Sequence, residues 1–128
     1  MRILFISTEA VPFAKTGGLA DVVGALPKEL KKLGHDVRVI LPYYHMAKKC
    51  KAKINDTGET VILEVSDKLV QGKIYTSSIG DVPVYLIGND GYYDRPELYR
   101  TPEGDYPDNA ERFIFFSKAI LEVAKQQK

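Results

Sequence analysis

Apolar and polar positions alternate along this chain in distinct rhythms, and each rhythm predicts an element. The opening "RILFIS" is a short unbroken apolar run, the pattern of a strand buried on both faces. "TEAVPFAKTGG" follows, dense in turn-forming residues and read as a loop. Leu19, Val22, Val23, Leu26, Leu30 and Leu33 then recur at helical spacing and mark one stripe of a helix. Gly34 sits where a helix C-terminal glycine belongs, with Lys31 and Lys32 in the last turn, favourable to the helix dipole. Pro27 lies inside that helix, removes one hydrogen bond and predicts a kink. "DVRVILP" reads as a second strand closed by Pro42. Strand, helix and strand in this order predict a βαβ unit with parallel strands and a right-handed crossover.

The middle of the chain changes rhythm. "YYHMAKKCKAKIND" reads as an exposed basic connection. "TVILEV", "GKIYTSSIG" and "VPVYLIGN" are β-prone runs with no helix-length segment between them, so at least two are expected to pair as an antiparallel hairpin. Gly91 to Tyr106 is a long loop rich in Tyr, Pro, Asp and Gly, and loops of that length in small domains are usually functional or disordered. Asp108 with Glu111 three residues on forms a capping-box pattern, and Ala110, Phe113, Phe116, Ile120 and Val123 predict the buried stripe of a last helix. That pattern stops at "EVAKQQK" without a closing glycine or proline. An α/β unit ending on an amphipathic helix normally feeds another parallel strand, so the chain is expected to be a piece of something longer. The fold class expected is α/β: a Rossmann-like three-layer domain, mostly parallel, with one antiparallel hairpin.

Composition narrows the function classes. With 128 residues, 45% of them hydrophobic, the chain can bury the core of one ordinary domain. Eighteen basic and seventeen acidic side chains leave a net charge of +1, so no bulk electrostatic case exists for nucleic acid or membranes. One cysteine, Cys50, excludes an internal disulfide and suits a reducing compartment. The run Ile3–Ile6 is too short for a signal peptide, and no stretch is long enough to span a bilayer. A soluble, cytoplasmic chain is expected.

The candidate chemistry lies in "FAKTGGLADVVGALP". Open α/β sheets place ligands at the carboxyl end of the first parallel strand, and a helix N-terminus offers free N–H groups with a partial positive charge. Gly17 and Gly18 would let an anion or sugar approach those amides, and Lys15 adds a full charge. A charged hydrogen bond of this kind is worth about 1.5–3 kcal/mol. Asp21 would repel phosphate and better suits sugar hydroxyls, although an acid in the first turn also simply stabilises the helix dipole. Taken singly, Lys15 is a solvated loop lysine and the glycines a tight turn; together, at this place, they favour anion binding. The order of residues fits neither G-x-G-x-x-G nor the P-loop, where the lysine follows the glycines, so a nicotinamide enzyme or an ATPase is disfavoured. A phosphorylatable receiver domain would want an acidic cluster at the strand ends, which Glu9 alone does not supply.

"KTGGLADVVGALPKEL" closely resembles the N-terminal signature of bacterial glycogen synthases and plant starch synthases. The resemblance continues through "GHDVRVILPYY", "YLIGNDGYYDRPELY" and "YPDNAERFIFFSKA", and only the segment from about Lys48 to Ser78 is generic. It implies the N-terminal half of a two-domain GT-B glycosyltransferase, with residues 1–128 as part of that half. The implied reaction transfers glucose from ADP-glucose to the non-reducing end of an α-1,4-glucan with retention, and implies neither a catalytic metal nor another cofactor. Residue by residue, the resemblance assigns Lys15 to the donor diphosphate, Gly17 and Gly18 to backbone beside the phosphates and glucosyl unit, and Asp21 to the neighbourhood of the transferred glucose. Tyr93, in "YYDR", matches an aromatic position on the acceptor side more loosely, and a tyrosine-rich loop can equally pack on its own domain. Glu9 could line the cleft. Asn109 and Arg112 fall in the "DN-x-x-RF" motif, where capping and surface roles are open alternatives.

The departures define what the chain lacks. The family's H-x-x-D-W-H segment and its entire C-terminal half, with the arginine, lysine and glutamate of the active site, are not in this sequence. His35 and His45 show no partner pattern that would replace them. No catalytic residue is expected within the chain, which should be inactive alone, and the missing strands should leave apolar faces prone to self-association. The competing readings are a stand-alone nucleotide- or glucan-binding module and a nucleic-acid contact through Lys48, Lys49, Lys51 and Lys53. The second is disfavoured by the absence of a net basic excess.

Overall fold

The first two strands, β1 (Arg2–Ile6) and β2 (Asp36–Pro42), pair in parallel in the register Arg2↔Asp36 to Ile6↔Ile40. Between them runs helix α1 (Gly18–Lys32), as the periodicity predicts. The computed structural model, which describes residues 1–126, continues with a short helix α2 (His45–Lys48) and strands β3 (Asn55–Val65), β4 (Lys68–Ile79) and β5 (Val82–Gly88). Helix α3 (Asp90–Tyr93), the small hairpin of β6 (Arg100–Thr101) and β7 (Gly104–Asp105), and helix α4 (Asn109–Gln126) complete the order.

The main sheet has the order β1-β2-β5-β4-β3. β5 lies parallel to β2, while β4 is antiparallel to both β5 and β3. The β3–β4 turn places Ser66 and Asp67 at φ 48° and 64°, the left-handed pair that a two-residue hairpin turn requires. Alternation then sorts the strands onto two faces. Val37, Val39, Leu41, Val84 and Leu86 pack with Val23 of α1 and with Phe13. Ile40, Ile74, Tyr85 and Ile87 pack under Phe115, Phe116, Ala119 and Ile120 of α4. The result is helix, sheet and helix in three layers.

Several expectations need correction. β1 is not buried on both faces: it is the edge strand, its middle residues are half-buried, and Ile6 is 56% exposed. The buried line of α1 is Ala20, Val23 and Pro27, whereas Leu19, Val22, Leu26 and Leu33 are exposed. Close approach explains the shift, because a Cβ at Gly24 would lie 3.1 Å from both Cβ and the carbonyl oxygen of Val11, so small residues face inward. The helix runs on through Pro27, and Gly34 closes it at φ +95° with its N–H on the Lys31 carbonyl. The buried stripe of α4 is Arg112, Phe115, Phe116, Ala119, Ile120 and Val123, with Ala110 exposed and Phe113 half-buried. Its capping-box residues are engaged elsewhere: Asp108 accepts from Arg95, and Glu111 accepts from Tyr92 and pairs with Lys68. The basic connection is not simply exposed, since Tyr44 and Ala47 anchor it in the core. Among the described residues no helix is long and apolar enough to cross a membrane.

Candidate functional site

β1, β2 and β5 all point their carboxyl ends to one rim, and the candidates Glu9, Lys15 and Gly17 lie in the loop leaving β1, with Gly18 and Asp21 in the first turn of α1. The loop after β1 holds itself by short-range bonds. The amides of Phe13 and Ala14 donate to the Ala10 carbonyl at 2.8 and 2.9 Å, and the Val11 amide donates to the Ala20 carbonyl of α1 at 3.1 Å. Phe13, fully buried, pins the loop to the sheet.

Glu9 then turns inward rather than towards an open cleft. Only 4% exposed, its Oε1 accepts from the amides of Thr16 and Gly17 at 2.9 and 3.3 Å. Its Oε2 accepts from the hydroxyls of Thr16 and Tyr99, both at 2.6 Å. Burial alone would raise the pKa of this carboxyl, but the hydroxyls of Thr16 and Tyr99 and the two amides outweigh it and hold it below the usual range. Glu9 thus buckles the end of the loop from behind.

In front of that buckle the backbone is bare. Gly17 is the N-cap of α1 with extended dihedrals (φ −166°, ψ −159°), and Gly18 is the first helical residue. Neither adopts a left-handed conformation, and a Cβ built on either meets nothing within 4 Å. The tight-turn reading of the glycine pair therefore fails, because neither backbone strain nor internal crowding calls for glycine here. Lys15 and Asp21 meet at the first turn of α1: Lys15 Nζ donates to both carboxylate oxygens of Asp21 at 2.8 and 2.9 Å, with the two side chains 54% and 56% exposed. The charge of Lys15 is thus already partly answered within the chain.

The rest of the rim is built by the tyrosine-rich segment. Tyr93 is fully buried, its ring edge-on to Tyr44 and its hydroxyl donating to the Arg112 carbonyl at 2.6 Å. It presents no free face for a sugar, and of its two readings packing is the one seen. Arg112, placed at the surface in one sequence reading, is instead 0% exposed. Its Nε donates to the Tyr92 carbonyl at 2.7 Å, and its Nη1 to the Leu98 carbonyl and Asn109 Oδ1, both at 2.8 Å. Asn109 Nδ2 in turn donates to the Tyr99 carbonyl at 2.9 Å. His45 does have a partner, Asp94 at 2.7 Å, and Lys48 is paired with Asp90 and Asp94 rather than displayed. Thr16 and Tyr99 are the residues that sequence reasoning missed. Nothing local marks them, since what sets them apart is their shared partner, Glu9.

The family model described as the starch synthase catalytic domain matches residues 2–128. The glycogen synthases of Syntrophotalea carbinolica and Geotalea uraniireducens are each 48% identical over 126 residues, covering 98% of this chain and 26% of theirs. The solved catalytic domain of starch synthase IV from Arabidopsis thaliana, bound to ADP and acarbose, superposes with a TM-score of 0.84 at 31% identity. That match covers 98% of this chain and 25% of the other. The chain thus spans about a quarter of the length of the relatives it matches, and its three-layer α/β architecture is that of a GT-B glycosyltransferase. Family model, relatives and fold agree: the chain belongs to the starch and glycogen synthase family.

Proposed function

We propose that this chain is the donor-diphosphate-binding part of a retaining glucosyltransferase that moves glucose from ADP-glucose to the non-reducing end of an α-1,4-glucan. The observation that carries the reading is the bare backbone at Gly17 and Gly18, which the fold itself does not require. A ligand that must lie against the first amides of α1 accounts for it, and Lys15 stands within reach of the same place. Asp21, released from Lys15 when phosphate takes the lysine, becomes free to accept from sugar hydroxyls. The solved relative's ADP and acarbose support a nucleotide-sugar donor and a glucan acceptor. Tyr93 serves from behind, as packing for the rim, and a cytoplasmic setting follows from the same reading.

The chain holds about a quarter of its relatives' length, and we propose that it is a piece of the N-terminal half with no turnover of its own. Catalysis of this kind consists of positioning and charge stabilisation from both sides of a cleft. Incubated with radiolabelled ADP-glucose and glycogen, the isolated chain should incorporate no label, while a full-length synthase containing it should. Turnover by the chain alone at the rate of an intact synthase would overturn this division of labour. The edge strand β1 and the exposed Leu19, Val22 and Leu26 also favour self-association of the isolated chain. Light scattering should show a mass that rises with concentration, and a constant monomer mass would refute it.

A further inference from the structure

Glu9 presents a physical problem that the donor-site reading leaves open. Its carboxylate is almost fully buried, yet all four groups that donate to it are neutral. A buried anion without a cation is tolerable only if its hydrogen bonds are complete. Three of the four come from Thr16 and Gly17, the loop that Glu9 itself holds. The fourth comes from Tyr99, ninety residues away in sequence.

Tyr99 is fixed from several directions. Its hydroxyl also meets Thr8 Oγ1 at 2.8 Å, and its ring leans on Phe113 with centroids 5.9 Å apart. Its carbonyl accepts from the side chain of Asn109 and from the amide of Tyr106. Asn109 is in turn held by the buried Arg112. A continuous chain of hydrogen bonds therefore runs from α4 through Arg112, Asn109, Tyr99 and Glu9 to the amides of Thr16 and Gly17. We propose that Tyr99 is a positioning residue for the donor site, locking the Glu9 carboxylate so that the loop ending at Gly17 is preset for a nucleotide diphosphate. The proposal rests on the donor-site reading for its purpose, but the lock itself is a property of the ligand-free chain.

Tyr99→Phe removes one hydroxyl and keeps the ring against Phe113, which makes it the clean variant. In the 128-residue chain, NMR hydrogen exchange at the Thr16 and Gly17 amides should quicken roughly tenfold, the scale of one hydrogen bond to a charged group. The Glu9 carboxyl, followed by carbon-13 titration, should move up towards the ordinary carboxylate range, and ADP should bind several-fold more weakly. The melting temperature should fall by several degrees at most, the scale of one lost hydrogen bond, so the chain stays folded while exchange and titration report on the lock itself. Unchanged exchange at both amides together with an unchanged Glu9 titration would overturn the lock. Altered exchange with undiminished ADP affinity would overturn the positioning role. If exchange and titration shift as expected but ADP binds neither wild type nor variant, the lock is upheld and the donor-site reading is what fails.

Discussion

Arg112→Met should destabilise the chain by about 3 kcal/mol, read as a fall in the urea midpoint at constant slope. The side chain is fully buried and has no carboxylate partner. Burial, followed by the nearby charge of Arg95, lowers its pKa, so its cost in the interior is real. It is retained because three acceptors converge on it: the carbonyls of Tyr92 and Leu98 and the side-chain oxygen of Asn109. The rings of Tyr93, Tyr106 and Phe113 surround it, with centroids 5.6, 5.0 and 5.2 Å from the guanidinium carbon. Methionine fills similar space but orphans two backbone carbonyls at about 1–3 kcal/mol each. Relief of the buried charge offsets part of that loss. Against a total stability of about 5–15 kcal/mol for a domain of this kind, the change is large. Lysine should rescue little, since one ammonium cannot span acceptors arranged for a planar fork. A loss below 1 kcal/mol would mean that the carbonyls are satisfied without the guanidinium.

The second large effect is on binding. Lys15→Ala should weaken ADP binding about 10- to 100-fold, the range of one charge-assisted hydrogen bond. The upper part of that range is expected, because removing the lysine also leaves Asp21 unpaired beside the phosphates. Stability should hardly move, since exposed ion pairs contribute at most about 1 kcal/mol. Gly18→Ala makes a sharper comparison. A methyl group there meets nothing in the fold, and alanine is the better helix former by about 1 kcal/mol, so thermal stability should hold or rise. ADP affinity should nevertheless fall roughly tenfold or more if the ligand lies against that backbone. Equal affinities for wild type and both variants, by NMR titration, would remove the diphosphate from this loop.

How far these sites could be read from sequence depends on the range of the interactions that make them. The βαβ unit and the Gly34 terminus formed where the pattern placed them, whereas the hairpin has a longer second strand, since β4 starts at Lys68 and takes in the "KLVQ" that lies between two of the β-prone runs. The phases of the two helical stripes were not legible. In α1 the approach of the Val11 loop selects Ala20 and Gly24 for the inner side and leaves the leucines outside. In α4 a charged residue, Arg112, occupies a core position that a hydrophobic count assigns to Phe113. Tyr93 and Glu9 were legible as unusual but not as to role. Whether a tyrosine stacks on sugar or core, and whether an acid faces a cleft or a backbone amide, is settled by partners far along the chain.

The bond from Tyr99 to Glu9 also fixes an order of events during synthesis of the protein. The glycine loop is made well before Tyr99, which lies ninety residues on from Glu9, so the buckle is completed only once that tyrosine has been added and α4 has begun to hold Asn109 and Arg112 in place. Until then the Glu9 carboxylate lacks its fourth donor and has every reason to stay in water. The nascent chain therefore carries its glycine loop without the full set of bonds on Glu9, and that set is complete only when the segment to Arg112 has folded.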